Sequence, residues 1–350
     1  MALFFWRDVL EYFKYFCVGC SVFLNTVLII LVLFRSPHSL GFYKYLMTYI
    51  YVFDLFYAVW DIITNPTVYS YGPAFVVFRN YDNSMFTREM SFYMVLVYCG
   101  CFAFSLACFG VHFMYRYGTV NNDFRERFLS GKKIYIIFAV PILCGSWWSV
   151  ISGVAFCFDE YSDEYLSQLN PICLIFRDAV KNDLNFNISS LASMVIFFYL
   201  PDENGKLHPH WKTFLVMTSI YTITFVSIFS VIFCGFKCYN CILQAMSITT
   251  VQSKISKSLQ HHVKSIFHTL IPMVLMYIPL FFVFALPLFN INFPYASTAI
   301  SATISIYLAI DPLPSMFIIK AYRKAVLGKL TNKLDACIIV FQNYLQSFYR

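Results

Sequence analysis

The stretch Ser265–Ile310 reads SIFHTLIPMVLMYIPLFFVFALPLFNINFPYASTAISATISIYLAI and contains no Asp, Glu, Lys or Arg. A helix crosses the hydrocarbon core of a bilayer with about 20 apolar residues, so this run is too long for one span. Its middle, Asn290–Tyr295, combines two asparagines with a proline, which is typical of a turn. We therefore predict two membrane-spanning helices here, at Ser265–Phe289 and Ser297–Ile319.

The composition of the whole chain agrees with a membrane protein. Of 350 residues, 59% are hydrophobic, 20% are aromatic and only 12% are charged. A soluble domain carries roughly 25% charged residues, so too little charge remains here to cover a water-facing surface. We expect an all-α, polytopic bundle of seven transmembrane helices over residues 1–319. The other five predicted spans are Tyr15–Phe34, Tyr45–Thr64, Met90–Tyr115, Ile134–Phe158 and Thr213–Phe236.

One further apolar run, Ile188–Leu200, is too short to cross a bilayer. Acidic residues bracket it, with Asp183 before it and the pair Asp202 and Glu203 after it. Runs of this length are more often interfacial or packed on protein, so we place this one in an extracellular loop.

The distribution of charge predicts the orientation. The loops after spans one, three and five, together with the segment from Lys320, carry most of the 25 Lys and Arg residues. They hold only three acidic residues, Asp123, Glu126 and Asp335. Basic loops face the cytoplasm, so the N-terminus is expected outside and the C-terminus inside the plasma membrane. The net charge of +7 is then a topology signal, and no nucleic-acid partner is expected.

Two local features fit this orientation. The sequon Asn187-Ile188-Ser189 falls in a loop that the charges place outside, which predicts glycosylation at Asn187. Residues 320–350 alternate basic and apolar side chains at their start, which predicts a cytoplasmic tail with an amphipathic helix on the membrane lipid.

Three acidic residues lie inside predicted spans, where ionisable groups are functional candidates. Asp54 and Asp61 are two helical turns apart and share one helix face. They either pair with hydroxyl and backbone groups to fix packing, or form an ion or conformational switch site. Asp311 precedes Pro312 and Pro314, which remove backbone donors and kink the helix. That kink is either static or biases two helix arrangements.

Span three ends in Tyr115-Arg116-Tyr117 at the predicted inner boundary. Arg116 either extends its guanidinium to lipid headgroups or docks a cytoplasmic partner. The sequence shows no Gly-rich phosphate loop, no Ser/His/Asp arrangement and no paired Cys-x-x-Cys zinc spacing. We therefore expect no enzymatic activity, no cofactor and no metal.

Four motifs, in order along nearly the whole chain, carry a family resemblance. They are PHSLGFYKYLM at Pro37–Met47, YSYGPAFVVF at Tyr69–Phe78, HFMYRY at His112–Tyr117 and DPLPSMFIIKAYR at Asp311–Arg323. The chain resembles nematode seven-transmembrane chemoreceptors of the serpentine Str and Srj type. The resemblance implies a G-protein-coupled receptor with olfactory receptor activity in sensory perception, located in a sensory cilium.

The resemblance also implies roles for individual residues. Tyr115-Arg116-Tyr117 is similar to the acidic-Arg-Tyr element that contacts G protein, but Tyr115 replaces the acid, so the usual intrahelical lock on Arg116 is absent. Asp311-Pro312 is similar to the polar-Pro switch of span seven. Rhodopsin-like receptors tie span three to the second outer loop, which implies a disulfide from Cys99 or Cys101 to Cys173.

On this interpretation a small molecule binds from outside among residues chosen by depth and side. They are Phe92, Tyr93, Leu96, Phe282 and Ser301. The inner face presents Arg116 and three basic residues to a heterotrimeric G protein; these are Lys254, Lys257 and Lys264. The alternative is a transporter or ion channel that uses Asp54, Asp61 and Asp311 as a polar path.

Overall fold

The computed structural model of the protein describes residues 2–37, 41–82, 84–156, 190–201, 206–247, 271–291 and 294–328. The helices are α1 (Ala2–Arg35), α2 (Tyr43–Thr64), α3 (Arg88–Val120), α4 (Ile134–Phe156), α5 (Trp211–Ser247), α6 (Ile278–Leu288), α7 (Pro294–Ile310), α8 (Pro312–Ile318) and α9 (Lys320–Leu327). The strands are β1 (Thr67–Tyr71), β2 (Ala74–Asn80), β3 (Leu191–Phe197), β4 (Tyr199–Pro201) and β5 (Leu207–Pro209).

Apolar helices lie at all seven predicted spans within the described residues. Six are long and apolar enough to cross a membrane, and the sixth predicted span is a shorter apolar helical segment, Met273–Leu288. The start of that span, from Ser265 to residue 270, lies outside the described residues. The seven-helix, G-protein-coupled-receptor-like fold is therefore confirmed.

Helix α3 is the central helix of the bundle. In its most apolar stretch 94% of the residues are buried, against 22% for α4. Side chains on every face of α3 therefore contact neighbouring elements. Helix α4 instead exposes a broad apolar face of the kind that lipid would cover.

Helices α6 and α7 are irregular where the sequence places prolines. A π-helical turn, Met273–Tyr277, precedes α6, and Pro279 near the start of α6 has no amide proton to donate to the preceding turn. The predicted turn between spans six and seven contains Asn290 in the left-handed region, with φ of 56°. The helix is interrupted again at Asp311, and α8 begins at Pro312.

The apolar run Ile188–Leu200, which is too short to span a bilayer, contains β3. Strands β1 and β2 form an antiparallel hairpin, and β3 pairs with β2 to complete a three-stranded sheet. Gly72 lies in the two-residue hairpin turn with φ of 54°, a conformation that favours glycine. The described part of the run thus packs on protein as a strand.

The sheet packs against the end of the bundle where α3 begins, and we call this end the sheet end. The buried side chains of the sheet belong to the same apolar core as α3, α6 and α7. At the opposite end, which we call the Arg116 end, α9 begins at Lys320, where the sequence predicts an amphipathic segment. Residues 329–350 of the predicted tail lie outside the described residues.

Candidate functional site

A cavity with a volume of about 50 Å³ lies between the sheet and the helices α3 to α7. One face of the sheet forms its roof. Because side chains alternate across a strand, residues two apart point to the same face. Phe75 and Val77 on β2 pair in register with Ile196 and Met194 on β3, and all four line the cavity.

The walls of the cavity come from helix faces with a spacing of one turn. Trp148 and Ser152 lie four residues apart on α4, and Ile300 and Ile304 do so on α7. The remaining wall residues are Tyr98, Cys99 and Phe102 on α3, Ile220 on α5, and Leu280, Val283 and Phe284 on α6. The cavity is therefore shared by five helices and the sheet, so a bound molecule would contact all of them.

None of the five predicted ligand-binding residues lines this cavity. The side chains of Tyr93 and Phe282 are 65% and 51% exposed on the outside of the bundle. Leu96 is buried against Gly153 of α4, while Phe92 and Ser301 are half-buried. Hydropathy indicates the depth of a residue in the membrane but not the rotation of its helix. On α3 the cavity face carries Tyr98 and Phe102 and lies on a different side of the helix from Leu96.

The roof of the cavity was missed entirely by sequence reasoning, although a signal was present. Thr67–Tyr71 and Ala74–Asn80 are rich in aromatic and β-branched residues and flank Gly72-Pro73, which is the pattern of a hairpin. By family resemblance alone, the segment is similar only to an outer-loop motif.

Helices α3 and α4, which both line the cavity, approach each other through small residues. Gly100 of α3 lies against Gly145 and Ser149 of α4, where an added Cβ would clash with both. The Ser149 hydroxyl donates to the Leu96 carbonyl oxygen across the interface at 2.9 Å. Small residues let membrane helices pack closely, and here they fix the rotation of α4 that brings Trp148 to the cavity.

A buried arginine anchors the roof to the bundle. Arg79 on β2 donates to the Met94 sulfur at 2.7 Å and to the Ser84 hydroxyl at 3.1 Å. Its guanidinium also lies over the Phe86 ring, 4.8 Å from the centroid. Burial lowers the pKa of Arg79. These contacts tie the edge of the roof to the first turns of α3.

Below the cavity, a hydroxyl pair connects three helices. The Tyr277 and Ser227 hydroxyls lie 2.6 Å apart, and Ser227 donates to the Leu106 carbonyl oxygen of α3. The Phe109 ring packs against Tyr277 and against Tyr307 of α7, with centroids 6.1 Å and 5.2 Å apart. The layer joins α3, α5, α6 and α7 between the cavity and the Arg116 end.

The carboxylate of Asp61 is paired within the bundle. It forms an ion pair with Lys14 of α1 at 3.1 Å, and the Ser305 hydroxyl of α7 lies 3.5 Å from it. Lys14 directly precedes the predicted span one, which begins at Tyr15. Because α1 extends from Ala2 to Arg35, this lysine lies on the helix beside α2.

Asp54 and Asp311 form a second acidic site, nearer the Arg116 end. Asp54 is 1% exposed and interacts electrostatically with Asp311, and its Oδ2 has no hydrogen-bond partner among the described residues. Pro312 is buried beside Asp311, and Pro314 is half-buried. Asp311, Pro312 and Pro314 thus lie where α7 is interrupted, within electrostatic range of Asp54 on α2.

At the Arg116 end, Tyr115 contacts α2 rather than Arg116. The Tyr115 ring stacks on Tyr43 with centroids 5.5 Å apart, and the Tyr43 hydroxyl lies 2.7 Å from His112 Nε2. Among the described residues Arg116 forms no ion pair, and its buried Nη1 has no hydrogen-bond partner. Tyr117 accepts a hydrogen bond from Asn121 at 3.1 Å. The intrahelical carboxylate lock is thus absent in the part of the chain that is described.

The last described helix is anchored on α1 at this same end. The Tyr322 side chain is fully buried, and its hydroxyl lies 2.6 Å from the Ser36 hydroxyl. Burial raises the pKa of Tyr322, while the bond to Ser36 lowers it. The contact holds α9 against the end of α1, at the Arg116 end of the bundle.

Several predicted sites fall partly or wholly outside the described residues. Cys99 and Cys101 are buried cysteines inside α3, and Cys99 lines the cavity. The predicted disulfide also requires Cys173, which lies outside the described residues. The remaining predicted residues that lie outside the described ranges are Cys173, Asn187, Lys254, Lys257 and Lys264.

A bundle of seven apolar helices around an internal cavity defines a polytopic membrane protein of the G-protein-coupled-receptor type. The chain belongs to the family of serpentine seven-transmembrane GPCR chemoreceptors of the Str type, whose pattern matches residues 10–327. The family resemblance read from the motifs is therefore confirmed.

Two relatives illustrate the extent of the similarity. The chain is 32% identical over 310 residues to G-protein coupled receptor str-217 of Caenorhabditis elegans, covering 87% of this chain and 85% of that protein. It is 26% identical over 332 residues to serpentine receptor class r-10 of the same organism, covering 92% and 89%. These relatives are receptors, and the chain is an integral membrane protein of their family.

Proposed function

We propose that the chain is a chemosensory receptor that binds a small environmental molecule in the internal cavity and activates a heterotrimeric G protein at the Arg116 end. The cavity carries the proposal, because α3, α5, α6 and α7 all contribute to it. A ligand changes a conformational equilibrium only through different affinities for the two states. A molecule that contacts these four helices at once can have such a difference.

The layer of Tyr277, Ser227 and Phe109 supports a route from the cavity to the Arg116 end. It is held by a short hydroxyl contact and ring packing, both of which change if α6 moves relative to α3. The π-helical turn that contains Tyr277 is a local irregularity of a kind found frequently at functional sites. Movement of α6 would therefore reach the helix that carries Arg116.

Arg116 supports G-protein coupling, because its guanidinium has unsatisfied hydrogen-bonding capacity among the described residues. We expect Arg116→Ala to abolish ligand-evoked signalling with surface expression intact. Lys212→Ala, which removes one exposed positive charge at the sheet end, is the matched control. The measurement is a second-messenger screen of volatile and water-soluble chemicals in cells that express each variant. Unchanged signalling by Arg116→Ala would refute the role of Arg116.

The proposed orientation places the sheet end outside and the Arg116 end in the cytoplasm of a sensory cilium. Arg125, Arg127, Lys132 and Lys133 follow α3 at the Arg116 end, in agreement with the positive-inside rule. Attachment of a glycan at Asn187 tests the orientation, and an unmodified Asn187 in a protein made through the secretory pathway would count against it.

The transporter or channel alternative is less well supported by the acidic residues. Asp61 is engaged by Lys14 at 3.1 Å, so it does not present a free carboxylate to a path shared with Asp54 and Asp311. Ion currents through the purified protein in a bilayer without G protein would favour this alternative.

A further inference from the structure

The chemistry of the cavity restricts the ligand more narrowly than its position does. No Asp, Glu, Lys, Arg or His is among its lining residues, which belong to the described part of the chain. An ionised group transferred into such a site loses its hydration and gains no counter-charge, which is strongly unfavourable. Charged amines and carboxylates therefore do not match this cavity.

One polar group in the wall is unsatisfied. Ser152 is 0% exposed, and its Oγ has no hydrogen-bond partner among the described residues. Buried hydroxyl groups are nearly always hydrogen-bonded, so an exception in a cavity wall requires an explanation. Ser149 lies three residues earlier on the same helix, and its hydroxyl donates a hydrogen bond to the Leu96 carbonyl oxygen.

Ser152 belongs to the wall of the cavity. Trp148 and Ser152 share one face of α4, and the packing of Gly145 and Ser149 against α3 fixes that face toward the cavity. Facing Ser152 are apolar side chains of the roof and of α3, among them Met194, Ile196 and Phe102. The site thus combines the Ser152 hydroxyl with mostly apolar walls, whose other polar atoms belong to Tyr98, Trp148 and Cys99.

We infer that the ligand is an uncharged, mainly apolar small molecule with a single carbonyl or hydroxyl oxygen that hydrogen-bonds to Ser152 Oγ. This inference rests on the proposed function, because it takes the cavity as the ligand site. A serine hydroxyl both donates and accepts, so it can serve either a ketone or an alcohol. The apolar walls bind the hydrocarbon part of the ligand, and Ser152 selects for a ligand that carries an oxygen.

Purified full-length receptor in lipid nanodiscs tests the inference by thermal stabilisation with defined probes. The probes are the 2-ketones from 2-butanone to 2-decanone, the matching alkanes, and the alkylammonium and alkanoate ions of the same lengths. We expect at least one ketone to stabilise the receptor, its alkane to act more weakly, and the ions to have no effect. Ser152→Ala should weaken the ketone by about 3- to 10-fold and leave the alkane unchanged, as the loss of one hydrogen bond implies.

Ser91→Ala is the matched control variant. Ser91 is likewise 0% exposed with an unsatisfied Oγ among the described residues, but it does not line the cavity. It should leave the preference for ketone over alkane unchanged. The inference is overturned if the ions bind as well as the ketones, if no neutral probe binds, or if Ser152→Ala keeps the ketone preference.

Nucleotide exchange on a G protein, measured with the same probes, separates this inference from the proposed function. If a charged chemical activates the receptor, the receptor function stands and the ligand class is wrong. If a ketone binds through Ser152 without stimulating exchange, the ligand class stands and the coupling is wrong.

Discussion

Gly100→Ala probes the packing of α3 against α4 that orients the cavity wall. The new Cβ would lie 2.0 Å from Ser149 Oγ and 2.8 Å from the Gly145 carbonyl oxygen, both too close for a stable contact. Ser149 can rotate only by losing its bond to Leu96, which costs about 0.5–1.5 kcal/mol. The Gly145 oxygen belongs to the backbone, so α4 itself must move.

The expected net effect follows from two opposing quantities. Overpacking of this kind destabilises by about 1–3 kcal/mol, while replacing a helical glycine with alanine stabilises by roughly 0.5–1 kcal/mol. With the lost Ser149 bond included, we expect Gly100→Ala to lower the free energy of unfolding by about 1–3 kcal/mol. The measurement is an equilibrium unfolding titration of the purified receptor in mixed micelles.

Gly110→Ala makes the same chemical change on the same helix and serves as the control. There the nearest atom to a new Cβ is Ser227 Cα at 3.6 Å, an ordinary contact, so stability should be unchanged or slightly higher. If Gly100→Ala and Gly110→Ala have equal free energies of unfolding, the close packing of α3 and α4 is refuted.

Two further substitutions test polar contacts in the bundle. Lys14→Met leaves the buried Asp61 carboxylate without its cation and should destabilise by about 3 kcal/mol in the same titration. Adding Asp61→Asn should recover most of that loss, and a double variant no more stable than Lys14→Met would contradict the ion pair. Tyr277→Phe keeps the ring but loses the bond to Ser227, so stability should fall by about 1 kcal/mol; no change would show that the bond contributes nothing.

The helical spans were predictable because the bilayer sets their length and chemistry. About 20 apolar residues are needed to cross it, so hydropathy and the two asparagines at Asn290–Tyr295 indicate where the apolar helices lie. Ends were less certain, because amphipathic or charged turns such as the one with Lys14 lie outside the hydrocarbon core. For this reason the sequence did not show that Lys14 pairs with Asp61.

The cavity lining was not predictable from hydropathy. An apolar residue in a span faces either lipid or protein, and hydropathy does not distinguish the two. Tyr93 and Tyr98 lie on the same helix and have the same chemistry, yet the first is exposed and the second lines the cavity. Rotation is set by contacts such as Gly100 against Gly145, which depend on both helices at once.

The burial of polar residues was predicted better than the cavity lining, because a polar side chain within a span is restricted to the interior of the bundle. Asp54 and Asp61 are both buried, as their shared helix face implies. The absence of an acid before Arg116 likewise anticipated an arginine without an intrahelical ion pair. Sequence could not show that Tyr115 stacks on Tyr43 instead, since that contact depends on how α2 packs against α3.

Agonist-stimulated nucleotide exchange most directly tests whether the cavity drives signalling at the Arg116 end. The assay reconstitutes the purified receptor with a heterotrimeric G protein and adds a chemical that binds the cavity. We predict that the exchange rate rises with agonist concentration over the range in which the cavity fills. Saturation of the cavity with no change in exchange, for every G-protein class tried, would contradict the account.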